Sequence, residues 1–445
     1  MSTAELDSDS ESCTTSNHGE NFSLSDFFQT EAPTLLGRVQ PFSDYYRDAR
    51  AKGHALYARE IVSAVANRTW VRGLDGKARE MIMLGSNNYL GLATHPYVVA
   101  RIKQALDVFG AGVGGPPLLG GMTQLHMELE RRLSQIKGAE DTMLFASGFQ
   151  TNLGWLGTLL RDDDVLLYDE YNHASLYDGI ALASTTTNIK AVRFAHNDTE
   201  HLEKLLNRYR KGKDHPNRQI VVAVEGVYSM DGDLAPLPRL SELCAEYNAI
   251  LVVDDAHGTG VMGKTGRGTA EHFDLEGKVD ISIGTFSKSF GMTGGFLSAK
   301  REIIDYLRFC SRAYMFSAHL PITTVAGVLA GIEVIEREPN LIARLHDNAI
   351  YLDAGLKALG FDSFREAAII PVKIPADINI REVCMAFDAQ VIFLNSIEYP
   401  AVPKDGQRLR LSVMATHSHT DLDQALEVFE RIGKTYGIIG DPQTA

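Results

Sequence analysis

Seven short apolar segments alternate with helix-like segments between residues 96 and 320, and this alternation restricts the fold more than any other feature of the chain. The apolar segments span residues 142–146, 165–168, 191–194, 220–224, 250–253, 281–284 and 295–298. Strands that alternate with helices predict a mostly parallel sheet with helices on both faces. We therefore expect an α/β fold in which this sheet forms the core of a large domain.

The pattern changes near residue 340. A helix is predicted over 341–359, strands over 369–374, 391–394 and 408–413, and a last helix over 420–432. At the other end, residues 1–37 hold seven acidic residues, seven serines and no Lys or Arg, which is typical of a disordered acidic tail. The predicted organisation is a tail at 1–37, an N-terminal segment at 38–95, a large domain at 96–335 and a smaller α+β domain at 336–445.

Composition argues against several classes of function. The 445 residues carry a net charge of −14 and offer no basic stripe for nucleic-acid phosphates. The four cysteines form no CxxC pair, so neither a zinc site nor a disulfide framework is indicated, and a reducing, cytoplasmic location is expected. No apolar stretch reaches the roughly 18 residues of a membrane span, and the N-terminus lacks the pattern of a signal peptide. The sequence leaves open whether the protein contacts a membrane surface peripherally.

A lysine and a carboxylate, each placed after a predicted strand, indicate the chemistry. Lys288 lies in the hydroxyl-rich segment 284–291, where it can form an imine with a bound aldehyde while hydroxyls hold a phosphate. Asp254 ends the apolar run 250–253, at the edge where parallel sheets bind ligands. These two groups are what a pyridoxal 5'-phosphate (PLP) enzyme requires for its aldehyde and its pyridine nitrogen. The alternative is that Lys288 is an ordinary loop lysine and Asp254 an aspartate that caps a helix. The presence of both residues in this order disfavours that alternative.

Two glycine-rich segments match nucleotide-binding motifs. Residues 258–265, GTGVMGKT, match the phosphate loop of nucleoside triphosphatases, but GRG follows where that motif needs a helix, so we interpret the match as coincidence. A protein that binds ATP tightly without PLP is the alternative from a different class. Residues 110–115, GAGVGG, match the dinucleotide fingerprint but follow a helix-like run, which predicts a tight turn over a site.

Six motifs resemble, in order, those of the α-oxoamine synthases, which are fold-type I PLP enzymes that condense an amino acid with an acyl thioester and release CO2. The motifs are NYLG at 88–91, SGFQTN at 147–152, DEYNHAS at 169–175, EGVYSMDGD at 225–233, DDAH at 254–257 and GTFSK at 284–288. The resemblance covers residues 45–435, and residues 312–321 and 409–417 are most similar to bacterial serine palmitoyltransferases. It implies a fold-type I PLP-dependent transferase that works as a homodimer.

The resemblance also implies roles around the cofactor ring. Lys288 would carry PLP covalently and then remove the Cα proton of the bound amino acid. His173 would stack on the ring face, although a plain strand-end histidine is the alternative. Asp254 would keep the pyridine nitrogen protonated, and His257 would lie near the ring hydroxyl.

Further residues are assigned to the phosphate and the substrate in the same way. The phosphate would be held by the amides of a helix N-terminus, by a hydroxyl, and by a serine from across a dimer interface; these residues are Gly148, Phe149, Thr285 and Ser317. Arg410 would grip the substrate carboxylate with two parallel hydrogen bonds, and a structural arginine on a sheet edge is the alternative. Asn88 is a second substrate-binding candidate, and Ser229 is a further cofactor-binding candidate.

The chain departs from the family pattern at 114–122, GGPPLLGGM. Serine palmitoyltransferases carry Ser-Arg where this chain has Pro116 and Pro117, and Asn-Gly-Thr where it has residues 120–122. Because the loop is apolar, we expect it to suit a fatty chain, and we expect condensation of L-serine with a long-chain acyl thioester, on coenzyme A or acyl carrier protein, to a 3-ketosphinganine-like product. The alternative is a sister activity that makes 8-amino-7-oxononanoate, 2-amino-3-ketobutyrate, 5-aminolevulinate or an α-aminoketone.

Overall fold

The computed structural model describes residues 24–54, 57–73, 75–210, 218–399, 401–403 and 405–440. The first 23 residues of the predicted acidic tail lie outside the described residues. From there the chain forms a 3-10 turn, Leu24–Phe27, and then helix α1 (Leu35–Ala51), so regular structure begins before residue 38. Phe27 packs on Phe42 and Tyr45 of α1, with ring centroids 5.5 and 5.0 Å apart, and these aromatic contacts were not predicted from the acidic composition.

Three short strands follow α1 and pair antiparallel in the order β1-β2-β3. Their bounds are β1 (Glu60–Ile61), β2 (Arg68–Arg72) and β3 (Ala78–Met83).

The large domain alternates strands and helices as the sequence predicts. Its elements are α2 (Pro96–Phe109), α3 (Gln124–Lys137), β4 (Asp141–Phe145), α4 (Gly148–Leu159), β5 (Val165–Asp169), α5 (Ala174–Ala183), β6 (Lys190–Phe194), α6 (Thr199–Tyr209), β7 (Ile220–Glu225), α7 (Leu237–Tyr247), β8 (Ile250–Asp254), α8 (Thr269–His272), β9 (Ile281–Thr285), β10 (Gly295–Ala299), α9 (Arg301–Cys310), α10 (Arg312–Met315) and α11 (Ile322–Arg337). All seven predicted strands are confirmed, each within one residue at either end.

These strands form one sheet in the order β4-β10-β9-β8-β7-β5-β6. The pairs from β9 to β6 are parallel, and β10 runs antiparallel to both of its neighbours. Alternate residues of a strand face opposite sides: Leu167 packs in the cluster that holds α6 and α7, whereas Leu166 packs in the cluster that holds α4 and α9. Helices therefore cover both faces, as expected, and the carboxyl ends of β5, β7, β8 and β9 meet at one edge.

The C-terminal part forms a smaller α+β unit, as predicted. Its elements are α12 (Asn340–Ala358), β11 (Ile369–Lys373), α13 (Ile380–Ala389), β12 (Ile392–Phe393), β13 (Asn395–Ile397), β14 (Arg408–Ser412) and α14 (His419–Thr435). Strands β11, β14 and β13 form an antiparallel sheet, while β12 pairs in parallel with β3 and so joins the N-terminal strands to this unit. Across the described ranges, no helix combines the length and apolarity that crossing a membrane requires.

Candidate active site

A cavity of about 430 Å³ opens at the carboxyl edge of the large sheet, between that edge and the C-terminal unit. Open parallel sheets bind ligands at this edge because the loops that follow the strands converge there. Five of the predicted site residues line the cavity: His173, Ser229, His257, Lys288 and Arg410.

The Lys288 amine lies in the wall of this cavity, a few residues after β9. Burial lowers its pKa and the nearby Arg410 guanidinium lowers it further, while Asp254 and Glu225 act in the opposite direction. A lowered pKa leaves more of the amine neutral, and the neutral amine is the form that attacks an aldehyde or accepts a proton.

The Asp254 carboxylate is held at the end of β8 by an amide that the sequence did not single out. Asn152 of α4 donates from Nδ2 to Asp254 Oδ2 at 2.9 Å, and the backbone N–H of Ala256 donates to Oδ1 at 3.2 Å. Asn152 belongs to the SGFQTN motif, but nothing in that motif distinguished its role from that of its neighbours. The carboxylate is therefore fixed beside Lys288, where Asp254 was predicted.

His173 is fixed by the same amide group. Asn152 Nδ2 donates to Ser175 Oγ at 2.9 Å, and Ser175 places its hydroxyl 2.8 Å from His173 Nδ1. The Ser175 backbone N–H also donates to Nδ1, at 3.2 Å, so Nδ1 acts as an acceptor and Nε2 carries the proton. Burial lowers the pKa of His173 and Asp254 opposes this effect. The ring is thereby oriented and neutral.

His257 is held by a tyrosine from the N-terminal strand region. Its Nδ1 lies 2.8 Å from the hydroxyl of Tyr89, and both side chains are buried. Burial lowers the pKa of His257 well below its usual value, and the Lys288 charge lowers it further. His257 is therefore neutral at physiological pH.

Glu225 is a buried carboxyl group that sequence reasoning missed. It ends β7 directly beside Asp254, its register partner on β8, and its Oε1 has no hydrogen-bond partner among the described residues. Burial raises its pKa to about 8, and the Asp254 charge contributes in the same direction. Its position at the end of an apolar strand, like that of Asp254, was the available signal.

The start of α4 provides an anion cradle at one end of the site. The first backbone amides of an α-helix, here those of Gly148 and Phe149, have no intrahelical acceptor. A Cβ on Gly148 would lie 3.1 Å from Cβ of Thr285, a tight contact that any larger residue would impose on this space. Thr285 Oγ1 lies 3.0 Å from Ser287 Oγ, which adds a second hydroxyl. Amides and hydroxyls of this kind suit a phosphate.

Two of the predicted residues, Ser317 and Asn88, do not line the cavity. Ser317 lies beside α4 of its own chain, 3.4 Å from Gln150 Nε2. Asn88 is turned away from the cavity, because its side chain bonds the backbone of Val65 and Ala93. Its neighbour Asn87 lines the cavity instead, and a substrate-binding role for Asn88 stays a prediction.

Arg410 presents an unneutralised positive charge to the cavity. The side chain is only 6% exposed, and it donates from Nε to the Ser229 carbonyl at 2.6 Å and from Nη1 to Asn87 and Ser412 at 3.2 and 3.0 Å. Among the described residues no carboxylate pairs with it. A buried guanidinium without an ion pair is costly unless a ligand supplies the anion.

A profile of the aminotransferase class I and II family matches residues 79–429, which include every site residue predicted from the sequence. The chain belongs to this family. Within the family its relatives are α-oxoamine synthases, which confirms the resemblance identified from the six motifs.

Three curated relatives illustrate the range of activities. The chain is 41% identical over 82% of its length to an 8-amino-7-oxononanoate synthase from Thermoanaerobacter pseudethanolicus, covering 90% of it. It is 38% identical over 90% of its length to a serine palmitoyltransferase from Bacteriovorax stolpii, covering 94% of it. It is also 37% identical over 92% of its length to 4-hydroxy-2,2'-bipyrrole-5-methanol synthase PigH from a Serratia strain, but spans only 62% of that longer protein.

Solved structures agree with the fold. Serine palmitoyltransferase (SPT) from Sphingomonas wittichii superposes with a TM-score of 0.84 at 33% identity, over 92% of this chain and 100% of that one. A high-resolution structure of SPT with PLP as its internal aldimine gives 0.84 at 32% identity, over 91% of this chain and 100% of that one. The fold is therefore that of a fold-type I PLP enzyme.

The family is PLP-dependent, and the residues of this chain fit that cofactor. The anion cradle of Gly148 and Thr285 suits the phosphate, Lys288 provides the amine, and Asp254 provides an oriented carboxylate. The chain is thus a PLP-dependent acyltransferase that performs an α-oxoamine synthase condensation of an amino acid with an acyl thioester.

The loop at 110–122 does not line the cavity of its own chain. It follows helix α2, as predicted, and Gly115 accepts a hydrogen bond from the His319 backbone at 3.0 Å. Residues Pro117–Gly121 form a short helical turn from which Leu119 projects, 85% exposed. The contact of this loop with a fatty chain is therefore not seen within one chain and stays a prediction.

Proposed function

We propose that this chain condenses a small amino acid that has a single carboxylate, with L-serine as the first candidate, with a long-chain acyl thioester. The observation that carries the proposal is the buried, unpaired guanidinium of Arg410 in the same cavity as Lys288. Nε and Nη1 of Arg410 are engaged within the protein, so a substrate carboxylate would accept from the Nη2 hydrogens, which would neutralise the guanidinium and hold the amino acid beside the lysine.

PLP, when bound, supplies an electron sink that makes the Cα proton of the amino acid removable and its carboxylate releasable as CO2. Asp254, fixed by Asn152, would hold the cofactor's ring nitrogen protonated. Lys288 would hold the cofactor before the substrate arrives and would then accept the Cα proton at Nζ, which its lowered pKa favours. His173, with Nδ1 engaged, offers Nε2–H as the ring nitrogen available to the reactants.

The charges of the cavity wall favour an acyl chain without a second carboxylate. Arg381 also lines the wall, but Glu398 neutralises it through contacts of 2.8 and 3.2 Å. Leu394 and Ile397 add apolar surface beside it. The second carboxylate of a dicarboxylic chain such as pimeloyl would therefore find no unpaired arginine in this wall once Arg410 holds the amino acid. An apolar acyl chain needs no such partner.

A homodimer is part of the proposal. Large apolar side chains are exposed at the end of α10 and on the Pro117–Gly121 turn that contacts it, among them Leu119 and Phe316, which are 85% and 77% exposed. Ser317 follows directly and lies near Gln150 of α4. A second copy that covers this surface would bury the apolar side chains and would bring the 110–122 loop to the neighbouring site.

Formation of 8-amino-7-oxononanoate is the second candidate, favoured by the relative at 41% identity. The deciding experiment measures CO2 release for serine, glycine, alanine and larger amino acids against palmitoyl, acetyl and pimeloyl thioesters, on coenzyme A and on acyl carrier protein. Serine with palmitoyl should give the highest kcat/KM. Faster turnover with pimeloyl or acetyl donors, or serine as a poor acceptor, would remove the palmitoyl assignment and leave the family assignment intact.

A further inference from the structure

The phosphate-loop match at 258–265 lies outside the catalytic cavity. Its Lys264 and Thr265 do not open a helix, since α8 begins only at Thr269 and has four residues. Both residues line a separate cavity of about 410 Å³ between this loop, α3 and the junction of α11 with α12. The motif therefore does not form a phosphate loop, but two of its residues line a second cavity.

The floor of this second cavity is apolar and its rim is basic. The floor consists of the side chains of Ile136, Phe290, Ile332, Ile335 and Ile342. Arg132, Lys264 and Arg267 stand at the rim with one carboxylate, Glu336. Its volume lies in the range of small-molecule sites. The excess of cations contrasts with the net charge of −14 of the chain.

Hydrogen bonds to neighbouring residues fix the backbone of the loop that carries Lys264 and Arg267. Lys137 Nζ donates to the Arg267 carbonyl at 2.7 Å and to Asp255 at 2.7 Å, and Gly260 N donates to the Gly266 carbonyl at 2.8 Å. Glu271 accepts from the backbone N–H groups of Thr265 and Arg267. The backbone of the rim is therefore preformed, which lowers the entropy lost on binding.

Two of the rim cations are uncommitted. Arg132 is paired with both oxygens of Glu336 at 2.7 Å. Lys264 and Arg267 are exposed, and within the described chain their side chains make neither a hydrogen bond nor an ion pair. Glu271, the nearest carboxylate to the loop backbone, is already engaged by the loop's own N–H groups.

We propose that this cavity binds an amphipathic carboxylate, a molecule with one anionic head and an apolar body such as a medium-chain fatty acid. The carboxylate would lie between Lys264 and Arg267, and the apolar body would cover the isoleucine floor. A phosphate or a nucleotide would satisfy the rim but would leave that floor exposed to water.

A ligand in this cavity would contact the two segments that carry Lys288 and His257, but from outside the catalytic cavity. Phe290 of the floor follows Lys288 by two residues, and Thr259 of the wall follows His257 by two. Ser289 Oγ donates to the Thr259 carbonyl at 2.6 Å and joins the two segments. The site is distinct from the catalytic cavity, and the inference does not depend on which substrates the enzyme condenses.

Calorimetric titration of the PLP-loaded enzyme with dodecanoate tests the proposal. The double variant Lys264→Ala/Arg267→Ala should raise the dissociation constant at least about tenfold, since it removes both uncommitted cations. The matched control Lys204→Ala/Lys278→Ala removes two exposed cations that line neither cavity and should leave the constant unchanged. Dodecanol, which lacks the anion, should bind more weakly than dodecanoate.

Two results would overturn the assignment. Dodecanoate affinity that survives the double variant but is lost in Arg410→Ala would place the ligand in the catalytic cavity. Inorganic phosphate or ATP that binds more tightly than dodecanoate, and loses affinity in the double variant, would replace the amphipathic carboxylate by a phosphate ligand.

Discussion

Asp254 and Asp255 are consecutive, yet their carboxylates serve opposite sides of the same strand end. Asp254 accepts from Asn152 at 2.9 Å beside the catalytic cavity. Asp255 accepts from Lys137 at 2.7 Å behind it, in an ion pair whose side chains are 3% and 4% exposed. Because neighbouring residues of an extended chain point in opposite directions, one aspartate can serve chemistry while the next anchors the loop of residues 258–268.

Replacing Asp254 should damage chemistry rather than folding. Asp254→Asn keeps the size of the side chain and can still bond to Asn152, but it removes the negative charge that would keep the ring nitrogen protonated. We expect kcat to fall by at least about a hundredfold, with little change in melting temperature. Turnover measured by CO2 release, together with the absorption spectrum of the bound cofactor, checks this.

The matching substitution at Asp255 should give the reverse pattern. Asp255→Asn leaves Lys137 buried without its counter-ion, which costs about 3–5 kcal/mol of unfolding free energy. The folded fraction should retain most of its kcat. Urea denaturation and steady-state kinetics measured on the same sample separate the two effects. A stable but inactive Asp255→Asn enzyme would show that the assignment of the two aspartates is reversed.

Lys288→Ala should abolish catalysis while the fold persists. The lysine is both the residue that would hold the cofactor and the one that would accept the Cα proton, so its loss removes two contributions at once. We expect CO2 release to fall by at least about a thousandfold and the borohydride-fixed cofactor adduct to disappear. Appreciable turnover in this variant would contradict the mechanism.

Arg410→Lys should affect binding of the amino acid most. Lysine keeps the charge but loses the planar pair of donors, and it cannot reproduce the bonds to Ser229 and Asn87. We expect KM for the amino acid to rise about tenfold or more, with KM for the acyl thioester changed far less. Arg408→Lys, on the same strand but ion-paired to Asp231, is the control. Equal effects of both substitutions would indicate a structural role for Arg410.

The sequence predicted the sheet because its signals are local. Apolar runs such as 250–253 and 281–284 mark buried strands without reference to the rest of the chain, and the lysine and aspartate that follow them sit at predictable edges. The site partners depend on contacts between distant segments. Asn152 reaches Asp254 across 102 positions and Tyr89 reaches His257 across 168, so no local pattern could identify either.

Asn88 shows a different limit. The doublet Asn87–Asn88 offers two chemically identical side chains, and the choice between them depends on the exact backbone path after β3. The structure places Asn87 at Arg410 and turns Asn88 toward the Val65 carbonyl. The residue type alone could not show which of the two asparagines lines the cavity.

His196 provides a pH-dependent stabilisation that can be measured. It lies between two carboxylates, 3.0 Å from Asp169 and 2.7 Å from Asp233. Burial lowers its pKa, but the hydrogen bonds and charges of these carboxylates outweigh burial and raise the pKa to about 10. Below the unfolded-state pKa of about 6.5 the full stabilisation is present, and it is lost as the pH rises toward 10, because only the folded state retains the proton.

His196→Gln should therefore destabilise the protein most at low pH. We expect a loss of about 1.5–3 kcal/mol at pH 6, since charged hydrogen bonds are removed, and a much smaller loss near pH 10. Urea denaturation of both proteins at the two pH values gives the difference. His272→Gln removes an exposed imidazole and is the control. A loss for His196→Gln that is equal at pH 6 and pH 10 would mean that the imidazole is neutral in the folded protein, and that Asp169 and Asp233 hold it by uncharged hydrogen bonds alone.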